Sequence, residues 1–162
     1  MAEVFCNTSP LQYLHQLRLL HILPALVKGL VVPPAVVDEL AKGRDAGVDL
    51  PDIESLDWMS VRTPKSVEAL PLVGRLGPGE TEVLMLALEA QDAIVLMDDF
   101  LARKMADAIH KPVKGTLGLL LDAKKNGLID ELRPQLDRLE QLGFRMSEVT
   151  RSAVLDLAGE LD

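Results

Sequence analysis

The stretch AIVLMDD, residues 93–99, decides the fold class of this chain. Five apolar residues in succession are typical of a parallel strand inside a sheet, because helices cover both faces of such a strand. Two acids end the run, so Asp98 and Asp99 are predicted to stand at the carboxyl end of the strand. That position matters, because open α/β sheets bind their ligands beyond the carboxyl ends of their strands.

Shorter apolar runs at residues 4–6 and 30–32 and a further plausible strand at 58–62 precede this strand, and helical spacing fills the segments between them. The helix at residues 80–91 is apolar on nearly every side, which predicts that other elements enclose it. Strands that alternate with helices predict an α/β fold with a mostly parallel sheet.

Two further segments bear on domain organisation. Residues 43–51 mix Gly, Asp, Arg and Pro and are expected to form a loop. Two helices are expected in segment 130–158. We expect them to pack on the same core, which makes residues 1–162 a single domain.

Composition excludes several classes of protein. The 162 residues carry 17 Lys and Arg against 25 Asp and Glu, a net charge of −8, and 48% are hydrophobic, which excludes a disordered chain. Only 3% are aromatic, so an open platform that stacks successive bases is improbable. The acidic balance argues against a protein whose whole surface grips a phosphate backbone. The start of the chain lacks a secretory signal, and its apolar runs are too short to span a bilayer, which predicts a cytoplasmic protein without membrane contact.

Polar side chains are predicted to converge on the carboxyl edge of the sheet. Asn7 follows the first strand, as Asp98 and Asp99 follow the later one. Helix phase adds Glu39, which flanks a buried stripe, and Glu80, which is in phase with buried leucines. Their neighbours Asp38 and Glu82 point away from the apolar side.

Carboxylates that converge on one cleft repel each other unless some are protonated or a cation lies among them. Oxygen ligands from Asp, Glu and Asn suit Mg²⁺ or Mn²⁺, and such an ion activates water against a phosphate. Each acid alone has a simpler explanation, such as capping a helix, so the prediction depends on their convergence.

Five strings in this order resemble PIN domains: NTSPL at residues 7–11, VPPAVVDEL at 32–40, GETE at 79–82, LMDD at 96–99 followed by Arg103 and Ala106, and VKGTLG at 113–118. They are similar in particular to a prokaryotic branch of predicted nucleic-acid-binding proteins. The resemblance implies a three-layer, Rossmann-like α/β/α sandwich and a Mg²⁺- or Mn²⁺-dependent ribonuclease. Many relatives are VapC-like toxins of toxin–antitoxin pairs, often homodimers silenced by a small antitoxin protein.

The resemblance also implies roles for individual residues. The four family acid positions fall on Asn7, Glu39, Glu80 and Asp98, with Asp99 as a further metal ligand, and Thr8 or Ser9 resembles a hydroxyl that braces the site. Asn7 departs from the usual Asp. The amide oxygen can still accept a metal or a water, but one negative charge is lost. A PIN-like module that binds RNA or a protein without cutting it is therefore the alternative.

Basic residues follow the acids. Six of them lie in residues 103–125 beside only two acids, a local net charge of +4 that could steer RNA toward the site, although ordinary solvated helix faces explain the pattern equally well. The helix start at residues 115–118 could bind a phosphate, but a structural turn is the simpler interpretation. The predicted nucleic-acid contacts are Ser9, Arg103, Lys104, Lys114 and Thr116.

Overall fold

A computed structural model describes residues 2–65 and 76–161 of the chain. Its centre is a parallel sheet whose strands follow the order β3-β2-β1-β4-β5. The strands are β1 (Glu3–Cys6), β2 (Leu30–Val32), β3 (Met59–Val61), β4 (Ala93–Leu96) and β5 (Val113–Lys114). The predicted parallel α/β sheet is confirmed, and the short strand β5 was not among the predicted strands.

Helices cover the sheet and complete a three-layer α/β/α sandwich. Those in the described ranges are α1 (Thr8–Gln16), α2 (Leu23–Leu26), α3 (Pro34–Asp45), α4 (Pro78–Glu89), α5 (Phe100–Ala108), α6 (Thr116–Lys125), α7 (Arg133–Gln141) and α8 (Glu148–Leu157), with short 3-10 turns at Leu20–Ile22 and Ile53–Ser55.

Register between β1 and β4 fixes where the site lies. Cys6 pairs with Leu96, the last residue of β4, so both strands end at the same level. The Asn7 N–H continues the ladder by donating to the Leu96 carbonyl at 2.9 Å. The polar residues that follow these two strands therefore stand side by side at the carboxyl edge of the sheet.

The helix α4 is enclosed, as its all-round apolar pattern predicts. It contacts α3, α5, β1 and β4, and its residues 83–87 are buried. Enclosure on several sides holds the first turn of α4, which carries Glu80, in a fixed position against the sheet.

The C-terminal helices reach the same hydrophobic cluster as the sheet. Leu136 and Leu139 of α7 are fully buried, and Leu155 of α8 is nearly so. Burying a leucine side chain stabilises a fold by about 2 kcal/mol, so these residues hold α7 and α8 in place. No helix in the described ranges is long and apolar enough to cross a membrane.

One loop prediction was partly wrong. Residues 43–45 belong to α3, which runs to Asp45, and the loop begins after it. Gly43 sits inside this helix because a Cβ there would collide with the side chain of Leu50, which is buried against it. The glycine that suggested a loop instead provides space for packing.

Candidate active site

Asn7 is the buried polar residue at the centre of the carboxyl edge. It is 2% exposed, and its Nδ2 donates to Glu80 Oε1 at 3.1 Å. Its other side-chain atom, Oδ1, is buried, and no donor in residues 2–65 or 76–161 reaches it. A buried acceptor without a donor costs about 1–3 kcal/mol of folding free energy. The edge of the sheet thus keeps one oxygen free for a cation or a water.

Glu39 is held close to this oxygen from the side of α3. Its carboxylate accepts from the Thr8 hydroxyl and from the Gly79 N–H, the latter at 3.1 Å. A Cβ at Gly79 would lie 2.8 Å from Glu39 Oε1 and 3.0 Å from Asn7 Oδ1. Glycine at the start of α4 therefore lets both acceptors approach the same point of the backbone.

Asp98 is fixed by three hydrogen bonds. Its Oδ2 accepts from Ser9 Oγ at 2.8 Å and from Thr116 Oγ1 at 2.7 Å, and its Oδ1 accepts from the Thr116 N–H at 2.7 Å. Thr116 is fully buried and opens α6, so the positive end of that helix also faces the carboxylate. A carboxylate accepts about four hydrogen bonds, which leaves Asp98 one free acceptor position.

The hydroxyls of Thr8 and Ser9 do not cap α1. Such side chains often cap a helix, but here Asn7 occupies the N-cap position and no side chain in the described residues caps α1. Thr8 turns to Glu39 and Ser9 to Asp98, because both carboxylates lie within reach across the edge of the sheet. The two hydroxyls in the first turn of α1 therefore hold the carboxylates of Glu39 and Asp98 and do not cap the helix.

These residues line an open cleft of about 420 Å³, here called the acidic cleft. One wall carries Asn7, Ser9, Glu80, Asp98 and Asp99, and the other carries Tyr13, Gly143, Phe144 and Arg145. Glu39 is not among the lining residues and lies behind the first turn of α4. The structure thus brings together all but one of the residues predicted to hold a metal.

Burial and the charge of Asp98 act on two neighbouring side chains. Burial raises the pKa of the Tyr13 hydroxyl, and the negative charge of Asp98 adds to the effect. The same two causes raise the pKa of the fully buried Cys6 thiol. Tyr13 therefore stays protonated as a hydrogen-bond donor in the acidic cleft, and Cys6 stays an unreactive thiol.

Other predicted residues have partners outside the cleft. Asp99 caps α5 by accepting from the Ala102 N–H at 3.2 Å, although it also lines the cleft mouth. Lys104 Nζ lies 4.7 Å from the centre of the Phe100 ring. Lys114 forms an ion pair with Asp122. Lys104 and Lys114, two of the residues predicted to contact RNA, therefore already have partners nearby in the chain.

Sequence reasoning missed the wall formed by Tyr13, Phe144 and Arg145. The rings of Tyr13 and Phe144 meet edge to face with centroids 5.0 Å apart. Gly143, with a φ of 97°, turns the chain after α7 and brings the next two residues over the site. The sequence does show Phe144 and Arg145 directly after Gly143, which ends a helix. Their position over the cleft, however, depends on how α7 packs in the fold.

The donor set determines which ion the cleft suits. Asn7 Oδ1, Glu80 and Asp98 offer oxygen atoms alone, which fit a hard divalent cation such as Mg²⁺ or Mn²⁺. The free Asn7 Oδ1 supports this fit. Within the described ranges, however, no three His, Cys, Asp or Glu side chains are grouped closely enough to hold an ion by themselves. Asparagine at position 7 removes one acid from the group.

The chain is therefore an α/β domain with an acidic, oxygen-lined site at the carboxyl edge of its parallel sheet. A family model described as a PIN domain matches residues 3–160, so the chain belongs to the PIN-domain family. PIN domains are generally nucleases and typically use divalent metal ions. No curated protein matches this sequence.

Proposed function

We propose that this PIN domain is a divalent-metal-dependent endoribonuclease that hydrolyses RNA phosphodiester bonds and acts as the toxin of a toxin–antitoxin pair. The buried Asn7 Oδ1, which no donor in the described residues reaches, carries the nuclease proposal, because Asn7 lines the same cleft as Glu80 and Asp98. The toxin role follows from the resemblance of the sequence to VapC-like proteins.

Asn7, Glu80 and Asp98 are the residues that would hold Mg²⁺ or Mn²⁺, with Asp99 at the cleft mouth. When bound, the ion lowers the pKa of a water and offsets charge on the phosphate. Glu39 adds negative charge from behind Gly79. In this proposal Glu39 therefore acts through electrostatics and positioning.

The remaining side chains orient these groups. The Asn7 amide N–H holds one oxygen of Glu80, while Ser9 and Thr116 set the position of Asp98. Such bracing limits the movement of a carboxylate, and sites held in place by neighbouring hydrogen bonds lose less free energy to reorganisation during reaction. Tyr13 supplies a protonated hydroxyl on the facing wall.

A catalytically weak module that binds RNA or a protein is the second candidate. The specific observation in its favour is Asn7 itself, because an amide in place of a carboxylate weakens attraction for a cation. The lack of three grouped acids in the described ranges points the same way. A substitution at position 7 therefore distinguishes the nuclease from the binding module.

The deciding experiment measures cleavage of mixed single-stranded RNAs by the wild type and by Asn7→Asp, with Mn²⁺ or Mg²⁺ and with EDTA. We expect cleavage only with metal, and roughly a tenfold gain in Asn7→Asp, because a carboxylate raises affinity for the ion. The matched control is Asn126→Asp, which makes the same change at the exposed end of α6 and should leave the rate unchanged.

The thermal stability of the same variants gives an independent result. Without metal, Asn7→Asp buries an unpaired charge and should unfold at a lower temperature than the wild type, and Mn²⁺ should reverse that loss. Retained RNA binding without metal-dependent cleavage in either protein would favour the binding module.

The toxin and dimer proposals need separate tests. A toxin should arrest growth when expressed in bacteria, and co-expression of a small protein from an adjacent reading frame should relieve the arrest. A homodimer should give twice the mass of the chain in light scattering. Growth that continues despite expression of an RNA-cleaving protein would overturn the toxin role and leave the nuclease proposal intact.

A further inference from the structure

A second cavity of about 450 Å³, here called the basic cleft, adjoins the acidic cleft. Asp98, Phe144 and Arg145 line both cavities, so the two meet along these residues. The basic cleft adds Arg103 from α5 and Thr150 from α8, and Asp98 is the one acid among its lining residues. An extended polymer that lies across Asp98 would therefore contact residues of both cavities.

Arg103 extends from α5, and its guanidinium reaches the basic cleft beside the start of α6. A Cβ at Gly115 would lie 2.8 Å from Arg103 Nη1 and 2.7 Å from Asp98 Oδ1, so glycine permits this close approach. Arg145 is exposed and lines the same cleft. None of the ion pairs formed within residues 2–65 and 76–161 involves Arg103 or Arg145.

Two guanidinium groups that face one cavity repel each other, and an anion between them offsets that repulsion. Guanidinium forms paired hydrogen bonds with phosphate, which makes Arg the side chain that matches phosphate best. The lysines nearby are less available, since Lys114 pairs with Asp122 and Lys124 pairs with Glu160. The basic cleft thus has the charge and the side-chain chemistry of a phosphate site.

We infer that the basic cleft binds the phosphate next to the one being cut, with Arg145 as the positioning residue that directs RNA into the acidic cleft. This inference rests on the proposed nuclease function. In this arrangement the acidic cleft takes the phosphate that is cut, and the basic cleft takes its neighbour. The acid-lined cavity needs a cation before a phosphate can enter, whereas the basic cleft attracts the neighbouring phosphate directly. Tyr13 and Phe144 form the apolar wall between α1 and the loop that carries Arg145.

The test measures binding of a short, fluorescein-labelled single-stranded RNA by anisotropy in EDTA, where no metal contributes. We expect Arg145→Gln to weaken binding about tenfold and to reduce the slope of log affinity against log salt by about 0.7, the value for one phosphate contact on a single strand. Arg145→Lys keeps the charge and should restore the slope. Lys28→Gln is the matched control. Lys28 is exposed and precedes β2, so it lies at the amino ends of the strands, opposite the carboxyl edge.

The outcomes separate this inference from the proposed function. Wild type that binds RNA without ever cutting it, with Arg145→Gln defective in binding, supports the phosphate site and overturns the nuclease proposal. Wild type that cuts RNA, with Arg145→Gln and Lys28→Gln equal in affinity and salt slope, overturns the phosphate site alone. A wild type that neither binds RNA in EDTA nor cuts it with Mg²⁺ or Mn²⁺ overturns both.

Discussion

Two acidic regions of this molecule differ in how their charges are compensated. At the C-terminus, Glu160 accepts hydrogen bonds from Lys124 Nζ and the Leu132 N–H at 2.7 Å each, and from the Arg133 N–H at 3.0 Å. We call this group the C-terminal clamp. In the acidic cleft, Glu80 receives a hydrogen bond from the Asn7 amide. In the first region a cation and a helix start offset the charge of the Glu160 carboxylate. In the second, no donor among the described residues reaches the amide oxygen of Asn7, next to Glu80.

The difference shows which acid serves the fold. Burial alone would raise the pKa of Glu160, but hydrogen bonds from Lys124 and from the start of α7 outweigh it and lower that pKa. A lowered carboxyl pKa means that the folded state prefers the charged form, so the clamp stabilises the fold. Acids without such partners contribute little to stability, and active sites often keep them for function.

The largest expected effect tests the cleft. Glu80→Gln should reduce metal-dependent RNA cleavage on the order of 100-fold, because the carboxylate that would hold the cation is gone. Stability should change by less than about 0.5 kcal/mol, since Glu80 forms no ion pair in the described structure. Cleavage rates and urea unfolding of the same preparation measure both quantities.

The matched control for that change lies two residues along the same helix. Glu82 accepts from the Ala35 N–H at 2.8 Å and so serves the start of α3. Glu82→Gln should leave cleavage within about twofold of the wild type, because helix phase places it away from the cleft. Equal loss of cleavage in both variants would contradict the assignment of Glu80 to the site.

The second effect tests the clamp. Glu160→Ala should lower the free energy of unfolding by about 2 kcal/mol, because it removes the acceptor of the Lys124 ammonium and of two partly buried N–H groups. RNA cleavage by the folded protein should not change. The exposed Asp156 on α8 offers a control, since Asp156→Ala removes the same charge nearby. Similar unfolding curves for both variants would show that the clamp adds no stability.

The smallest effect is the dependence of the clamp on pH. The folded pKa of Glu160 is lower than the value of about 4.3 expected in the unfolded chain. The ionic stabilisation is therefore fully present above that unfolded value and is lost as pH falls through the folded pKa. The gap in unfolding free energy between wild type and Glu160→Ala should be full at pH 7 and shrink below about pH 4. A gap that stays constant down to pH 3 would show that charge contributes nothing.

Local patterns in the sequence predicted much of the fold. The apolar run at residues 93–97 and the shorter runs before it identified parallel strands, because burial on both faces leaves a continuous apolar signature. Helix period also distinguished Glu80 from Glu82, and the structure places Glu80 at the cleft and Glu82 at the start of α3. Strand ends and helix phase are properties of nearby residues, so a single sequence reveals them.

Contacts between distant residues decided the rest. Ser9 reaches Asp98 across 89 positions of sequence, and Lys124 reaches Glu160 across 36. No local pattern announces such pairs, because each depends on which elements become neighbours in the sheet and its covering layers. The same reason explains why Thr8 reaches Glu39 across 31 positions, and why Asp99, a local cap of α5, also lines the cleft.

By itself, the sequence determined the parallel α/β class and the row of polar residues at the carboxyl ends of two strands, since periodicity and strand ends are local. Only the tertiary structure decided that Asn7 Oδ1 meets no donor among the described residues and that Arg145 lines the same cleft as Asp98. The free oxygen depends on which donors surround it in space, and the position of Arg145 depends on the turn at Gly143 after α7 has packed on the core. Packing sets both arrangements, and packing joins residues that lie far apart in the chain.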